Sequence, residues 1–137
     1  MTKTVYITGC LGFIGSHLTR KCLKKGWYVI GIDKITYAAN QECLQEFKQY
    51  KNFRFEQKDI NDLKFLYDCD YVINTAAETH VDNSIVDSYE FVKSNIDGVH
   101  NLLKLIQNSR ALKRPILLQF STDEVYGDKE SGSFDET

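Results

Sequence analysis

Along the chain the apolar positions switch repeatedly between two rhythms. Thr4-Val5-Tyr6-Ile7 is a short apolar run that stops at Gly9. A run of that length, closed by a turn residue, predicts a buried strand. Ile14, Leu18 and Cys22 then recur at helical spacing, with Lys21, Lys24 and Lys25 gathered at the end of the segment. Cations there suit the negative end of a helix dipole, and Gly26 supplies the stop. Trp27 to Ile32 is a second apolar run, closed by Asp33. Residues 40–50 have a helical pattern, and Phe53 and Phe55 alternate with polar neighbours in a third strand that runs to Asp59. Tyr71-Val72-Ile73 predicts a fourth strand. Val92, Ile96, Val99, Leu103 and Ile106 carry the clearest helix signal of the chain. Pro115 precedes a fifth apolar run, Ile116 to Phe120, which stops at Ser121; residues 127–137 are polar and read as a loop.

Strand–helix alternation of this kind predicts an α/β fold: a Rossmann-type doubly wound parallel sheet of about five strands, in spatial order 3-2-1-4-5, with helices on both faces. The 137 residues fit one domain. An apolar fraction of 42% and a charged fraction of 26% are ordinary for a soluble protein. Net charge is −2 and the basic residues are dispersed, so the chain lacks the basic footprint of a nucleic-acid binder. No apolar run approaches the roughly 18 residues of a membrane span, and the N-terminus has no signal-peptide pattern. Cys10, Cys22, Cys43 and Cys69 form no Cys-x-x-Cys pair and have no histidine at zinc-finger spacing. Free thiols in a reducing compartment follow as the expectation, and with them a cytoplasmic location. His17, His80 and His100 are scattered, so no metal site is expected.

Candidate chemistry begins in the first turn. Thr8-Gly9-Cys10-Leu11-Gly12-Phe13-Ile14-Gly15 joins the first strand to the first helix. Gly9 allows a tight turn that a Cβ would resist. Gly12 lets the backbone approach a pyrophosphate at the amide-rich helix N-terminus. Gly15 lets helix and strand pack closely. Asp33, at the end of the second strand, can accept both hydroxyls of an adenosine ribose, and its charge would repel a 2′-phosphate; NAD is therefore favoured over NADP. The alternative is a solvated strand-end acid. Lys34 follows and can serve either cofactor. Asp59 and Ile60 can hold an adenine, or Asp59 can be a helix N-cap, and the two are compatible. Cys10 reads as a small turn-filling residue rather than a thiol activated by the helix terminus.

The glycine loop resembles that of the extended short-chain dehydrogenase/reductases. Asp33-Lys34-Ile35-Thr36-Tyr37-Ala38-Ala39-Asn40 and Ala76-Ala77-Glu78-Thr79-His80-Val81-Asp82-Asn83-Ser84-Ile85 are similar to segments of the dTDP-glucose 4,6-dehydratases. So is Ser94-Asn95-Ile96-Asp97-Gly98, and Ser121-Thr122-Asp123-Glu124-Val125-Tyr126-Gly127 matches that family's motif without a change. The resemblance implies that Gly9, Gly12, Phe13, Ile14 and Gly15 receive the pyrophosphate of NAD. Asp33, Lys34 and Thr36 would hold the adenosine ribose side, Asp59 and Ile60 the adenine. Thr75, Ala76, Ala77 and Ser94 would line the NAD channel, and Thr79 and Thr122 would face the hexose of a nucleotide sugar. Thr79, Ser94, Ala39 and Asn83 depart from the family's serine, threonine, glycine and arginine; the last leaves dTDP-glucose first and UDP-glucose second.

The resemblance also implies the reaction: oxidation at carbon 4, loss of water across carbons 5 and 6, and return of the hydride to carbon 6. The middle step needs one ionised and one protonated carboxyl group. Glu124 is assigned as base, Asp123 as acid, and Thr122 as the hydrogen-bond partner of the 4-oxygen. The family's Tyr-x-x-x-Lys pair should follow this motif. Tyr89 and Lys93 match the pattern but precede it, and short motifs recur by chance; they read as helix-surface residues. The 137 residues are therefore expected to be an N-terminal fragment, inactive alone and lacking the sugar-nucleotide-binding region. A homodimer of the full-length protein, built on an apolar face of residues 91–106, is part of the same expectation. A sugar-nucleotide epimerase or decarboxylase, and a non-catalytic NAD-binding module, remain as alternatives.

Overall fold

The computed structural model describes residues 2–109, 111 and 113–136; the side chains of Val81 and Asn83, including the nucleotide-choice position, lie outside the described residues. Five parallel strands form one sheet: β1 (Thr4–Thr8), β2 (Tyr28–Asp33), β3 (Phe53–Gln57), β4 (Tyr71–Asn74) and β5 (Ile116–Gln119), ordered β3-β2-β1-β4-β5. This is the predicted order. It follows from the chain crossing first to one side of β1 and then to the other, as parallel strands joined by crossovers do.

Alternate residues of each central strand point to opposite faces. On one face, Val5, Ile7 and Val29 pack with Leu23 and Phe47 under α1 (Phe13–Lys24) and α2 (Gln41–Phe47). On the other, Tyr6, Ile30, Ile32 and Val72 pack with Ile60, Leu63 and Leu102. Because both faces are covered, the central strands are apolar throughout rather than alternating. The end of α1 is fixed by Gly26 at φ +74°, with Gly26 N donating to Leu23 O (2.9 Å) and Trp27 N to Cys22 O (3.1 Å). Those two bonds satisfy carbonyls that a helix end otherwise leaves unpaired.

Two features of the second half were not in the sequence reading. A short helix, α3 (Val81–Val86), precedes the long helical segment, and that segment is not uniform. It runs as α4 (Tyr89–Val92), a five-residue π-helical stretch (Lys93–Asp97) and α5 (Gly98–Gln107). Gly98 N donates to Lys93 O, and Asn61 Nδ2 reaches the same carbonyl at 3.0 Å. The widened turn makes a notch for Ile60. A Cβ at Gly98 would lie 2.6 Å from Ile60 Cγ1 and closer still to Cδ1. Asn101 Nδ2 completes the seam by donating to Ile60 O (2.8 Å) and Leu63 O (3.1 Å).

Away from that seam the helix is apolar and open, as expected for residues 91–106: Val92 is 44% exposed, Ile96 61% and Leu103 48%. Ile116 and Leu118 on β5 are also exposed, and no described strand pairs the outer edge of β5. No helix among the described residues is long and apolar enough to cross a membrane.

Substituting Gly98→Ala should cost about 1–3 kcal/mol by overpacking against Ile60. Shortening the opposing side chain at the same time, in Gly98→Ala/Ile60→Ala, should destabilise by less than the sum of the single changes. Urea unfolding of the four proteins checks this; strict additivity would show that the notch is not a packing constraint.

Candidate functional site

All five strands end at one edge of the sheet, and the candidate residues follow those ends. The first turn sits above β1. Gly9 has φ +66°, and a Cβ there would meet Ala76 N at 2.8 Å and Thr75 C at 2.9 Å. The loop is held from two sides. Thr75 Oγ1 donates to Thr8 O at 2.7 Å. Leu11 N donates to Asp33 Oδ2 (3.0 Å), while Leu11 O accepts Asn40 N (2.8 Å). Asp33 Oδ1 accepts Ile35 N at 2.8 Å, fastening a residue that stands at φ +60°, an uncommon angle for a β-branched side chain. Asp33 is thus buried and doubly bonded rather than a solvated strand-end acid. Each of its oxygens still has a lone pair for a second donor.

Beneath the loop lies a cleft. The structure brings eleven of the predicted positions to its wall: Gly9, Gly12, Asp33, Lys34, Thr36, Asp59, Ile60, Thr75, Ala76, Ala77 and Ser94. Four lining residues were missed: Ile32, Ala39, Lys58 and Glu78. Ala39 and Glu78 stand inside the quoted motifs and Lys58 precedes Asp59, so proximity in sequence was the available signal. Phe13, Ile14 and Gly15 are not in the wall. They form the first turn of α1, where backbone N–H groups have no intrahelical acceptor, and no side chain caps it among the described residues. Cys10 is fully buried, and burial pushes its thiol upward, as suits a turn-filling residue.

Asp59 stands two residues beyond β3 and caps the turn Ile60–Asp62, with Oδ1 accepting Asn61 N at 2.9 Å. Burial alone would raise its carboxyl, but the bonds from Asn61 N and Nδ2 and the charges of Lys34 and Lys93 outweigh it and hold it below its ordinary value. Lys34 Nζ lies 3.4 Å from Glu78 Oε1, 3.6 Å from Glu90 Oε2, 4.0 Å from Asp59 Oδ2 and 3.4 Å from Ser94 Oγ. Lys34, Thr36 and Glu78 also line a second hollow, together with Tyr37, Val86, Asp87, Glu90 and Phe91.

Thr122, Asp123 and Glu124 follow β5 at the same sheet edge but outside the cleft wall, and all three are exposed. Thr122 caps the turn Asp123–Tyr126: its Oγ1 accepts Glu124 N (3.3 Å) and donates to Asp123 Oδ1 (3.2 Å). A chain of side-chain bonds crosses the sheet toward them. The Thr8 hydroxyl donates to Asn74 Oδ1, and Asn74 Nδ2 donates to Gln119 Oε1 at 2.8 Å. Thr79 is exposed next to Glu78, whose N and O pair with the Asn95 side chain, both at 2.9 Å. Tyr89 is 67% exposed at the start of α4, a surface position as expected.

Residues 6–137 match the family model described as GDP-mannose 4,6 dehydratase. Among curated relatives, the dTDP-glucose 4,6-dehydratase of Haemophilus influenzae is 42% identical, over 90% of this chain and 40% of its own length. An Arabidopsis thaliana trifunctional UDP-glucose 4,6-dehydratase/UDP-4-keto-6-deoxy-D-glucose 3,5-epimerase/UDP-4-keto-L-rhamnose-reductase is 36% identical, over 93% of this chain and 20% of its own. The crystal structure of DesIV, a dTDP-glucose 4,6-dehydratase from Streptomyces venezuelae with NAD bound, superposes with a TM-score of 0.84 at 34% identity, covering 96% of this chain and 43% of that one. The chain thus spans well under half the length of each of these proteins.

Replacing Asp33 with Asn leaves one acceptor oxygen for two backbone donors. Asp33→Asn should cost about 1–3 kcal/mol of stability, read from urea unfolding; a wild-type midpoint would show that the brace is idle. A second check uses acid. Because the Asp59 carboxyl is lowered in the fold from an ordinary 3.8, its stabilisation is complete above that value and is lost as pH falls through the lower one. The stability lost between about pH 5 and pH 3 should be smaller in Asp59→Asn than in the wild type.

Proposed function

The chain belongs to the family described as GDP-mannose 4,6 dehydratase, and on that premise we propose that it is the NAD-binding part of a nucleotide-sugar 4,6-dehydratase, with dTDP-glucose as substrate and dTDP-4-keto-6-deoxyglucose as product. One observation carries the reading. The glycine loop, Asp33 and the Asp59–Ile60 pair share one cleft, and the Ser121–Gly127 motif stands at the same sheet edge. Most of the assigned positions fit the dinucleotide. Gly12 presents bare backbone, and the first-turn amides of α1, at Phe13, Ile14 and Gly15, suit a diphosphate. Asp33 has acceptor capacity left for ribose hydroxyls. Thr36, Thr75, Ala76, Ala77 and Ser94 supply the remaining wall.

NAD, when bound, supplies a hydride acceptor that later returns the hydride. The chain's own residues handle positions and protons. Thr122 holds the 4-oxygen of the sugar, Glu124 takes the proton from carbon 5, and Asp123 gives a proton to the departing 6-hydroxyl. Thr79 contacts the hexose. The bond from Thr122 Oγ1 to the Asp123 carboxylate, and the one it accepts from the main-chain N of Glu124, support this assignment by keeping the three residues in one turn. The greater length of the relatives supports a further region outside these 137 residues, to which the resemblance assigns sugar-nucleotide binding and the Tyr-x-x-x-Lys pair. The open apolar stripe of α4 and α5 supports a homodimer, and the four free thiols a cytoplasmic location.

The complete gene product, given dTDP-glucose and UDP-glucose in parallel, should convert the first faster, with the mass of one water lost. Asp123→Asn and Glu124→Gln should each lower kcat about 10²–10⁴-fold while NAD binding persists. A product of unchanged mass would identify an epimerase instead. Saturable NAD binding without turnover would identify a non-catalytic module.

A further inference from the structure

We propose that Lys34 is a phosphate-binding cation kept occupied by carboxylates, and that Glu78 and Glu90 thereby make the cleft reject a dinucleotide carrying a phosphate on its adenosine ribose. The inference rests on the NAD reading and extends it to residues outside the glycine loop and Asp33.

Lys34 directly follows the acid that ends β2. In sheets of this type a cation beside that acid is what accommodates a ribose 2′-phosphate. A free ammonium here would attract such a group, which carries nearly two negative charges at neutral pH. In this chain the ammonium is not free. Glu78, Glu90 and Asp59 surround it within 4.0 Å, and Ser94 Oγ accepts a bond from it. One positive charge among three negative ones leaves the neighbourhood acidic, and Asp33 adds a fourth carboxylate on the adjoining residue. All lie within about one Debye length, so solvent ions do little to soften the repulsion of an arriving phosphate. Lys58, the other cation of the cleft wall, donates to Glu56 Oε2 at 2.9 Å, and Lys93, whose charge also acts on Asp59, still leaves two cations facing four carboxylates.

The occupying groups come from separate elements. Glu78 is on the loop after β4 and Glu90 on α4, with side chains 16% and 49% exposed. Glu90 is not in the wall of the first cleft; it reaches Lys34 from the second. It is therefore a specificity-determining residue that acts through another side chain. Removing the two charges while keeping the shape should release the ammonium toward the ribose.

The test is equilibrium binding of NAD and NADP to the complete gene product, in the wild type, Glu78→Gln/Glu90→Gln and Lys34→Gln/Glu78→Gln/Glu90→Gln. The wild type should bind NAD and discriminate against NADP. The double variant should lower the ratio of the NADP to the NAD dissociation constant at least tenfold, and the triple variant should lose that gain. Thermal melts identify any variant that has not folded; Glu90→Gln alone, which leaves the first cleft's wall intact, should then still shift the ratio in the same direction. No change in the ratio for a folded double variant overturns the proposal, as does a gain that survives removal of Lys34. Failure of the wild type to bind NAD would instead overturn the cofactor reading itself.

Discussion

The carboxylate of Asp33 accepts one amide from the glycine loop and another from the segment after β2, and the cleft depends on that double bond. Without it, Leu11 N would be a buried donor lacking a partner, a costly state in a protein interior. Ile35 would also lose the contact that holds its unfavourable backbone angle. A second bond, from Asn40 N to Leu11 O, and the packing of Ile35 and Ala39 in the same apolar cluster as Leu11 also join the two loops. A group usually discussed for its ligand contact is here first a structural brace. Its remaining lone pairs stand in a geometry that these bonds already fix, which would lower the ordering cost of any association there.

The sheet order was legible because each central strand is a continuous apolar run and each is followed by a helix or a turn. Those two facts require parallel pairing with both faces covered. Three things were not legible. At the π-helical stretch Asn61, more than thirty residues away, supplies a second donor to Lys93 O. Local periodicity carries no trace of such a partner, although Gly98 marks the spot in hindsight. Helix α3 is a single turn and a half of mixed polarity, too short for a pattern. The outward exposure of β5 depends on what lies beside it, which an apolar run alone does not specify.

The site was legible to the extent that motifs name positions. Asp33, Lys34, Asp59, Ile60 and Ser94 do meet at one wall. Motifs do not tell how charges compensate one another in space. Lys34 draws its neighbours from the end of β3, the loop after β4, α4 and the π-helical stretch. Glu90 has no place in the quoted motifs, and a position on the outward half of a helix would ordinarily be read as solvated surface. Its role becomes visible only when the helix is packed.

That packing links the cleft to the long helix by a short mechanical route. Ser94 lies within the widened turn and accepts Lys34; Asn61, beside Ile60, donates into the same turn; Gly98 closes it and leaves room for Ile60. A straight α-helix would rotate the residues after Lys93 by about 100° per inserted or deleted position. Restoring regular hydrogen bonding would therefore turn Ser94 away from the cleft or push Ile60 out of its notch. The irregular stretch satisfies both contacts at once. Interrupted helices of this type are frequently found at functional sites, and the competing demands of Ser94 and Ile60 give a physical reason for one here.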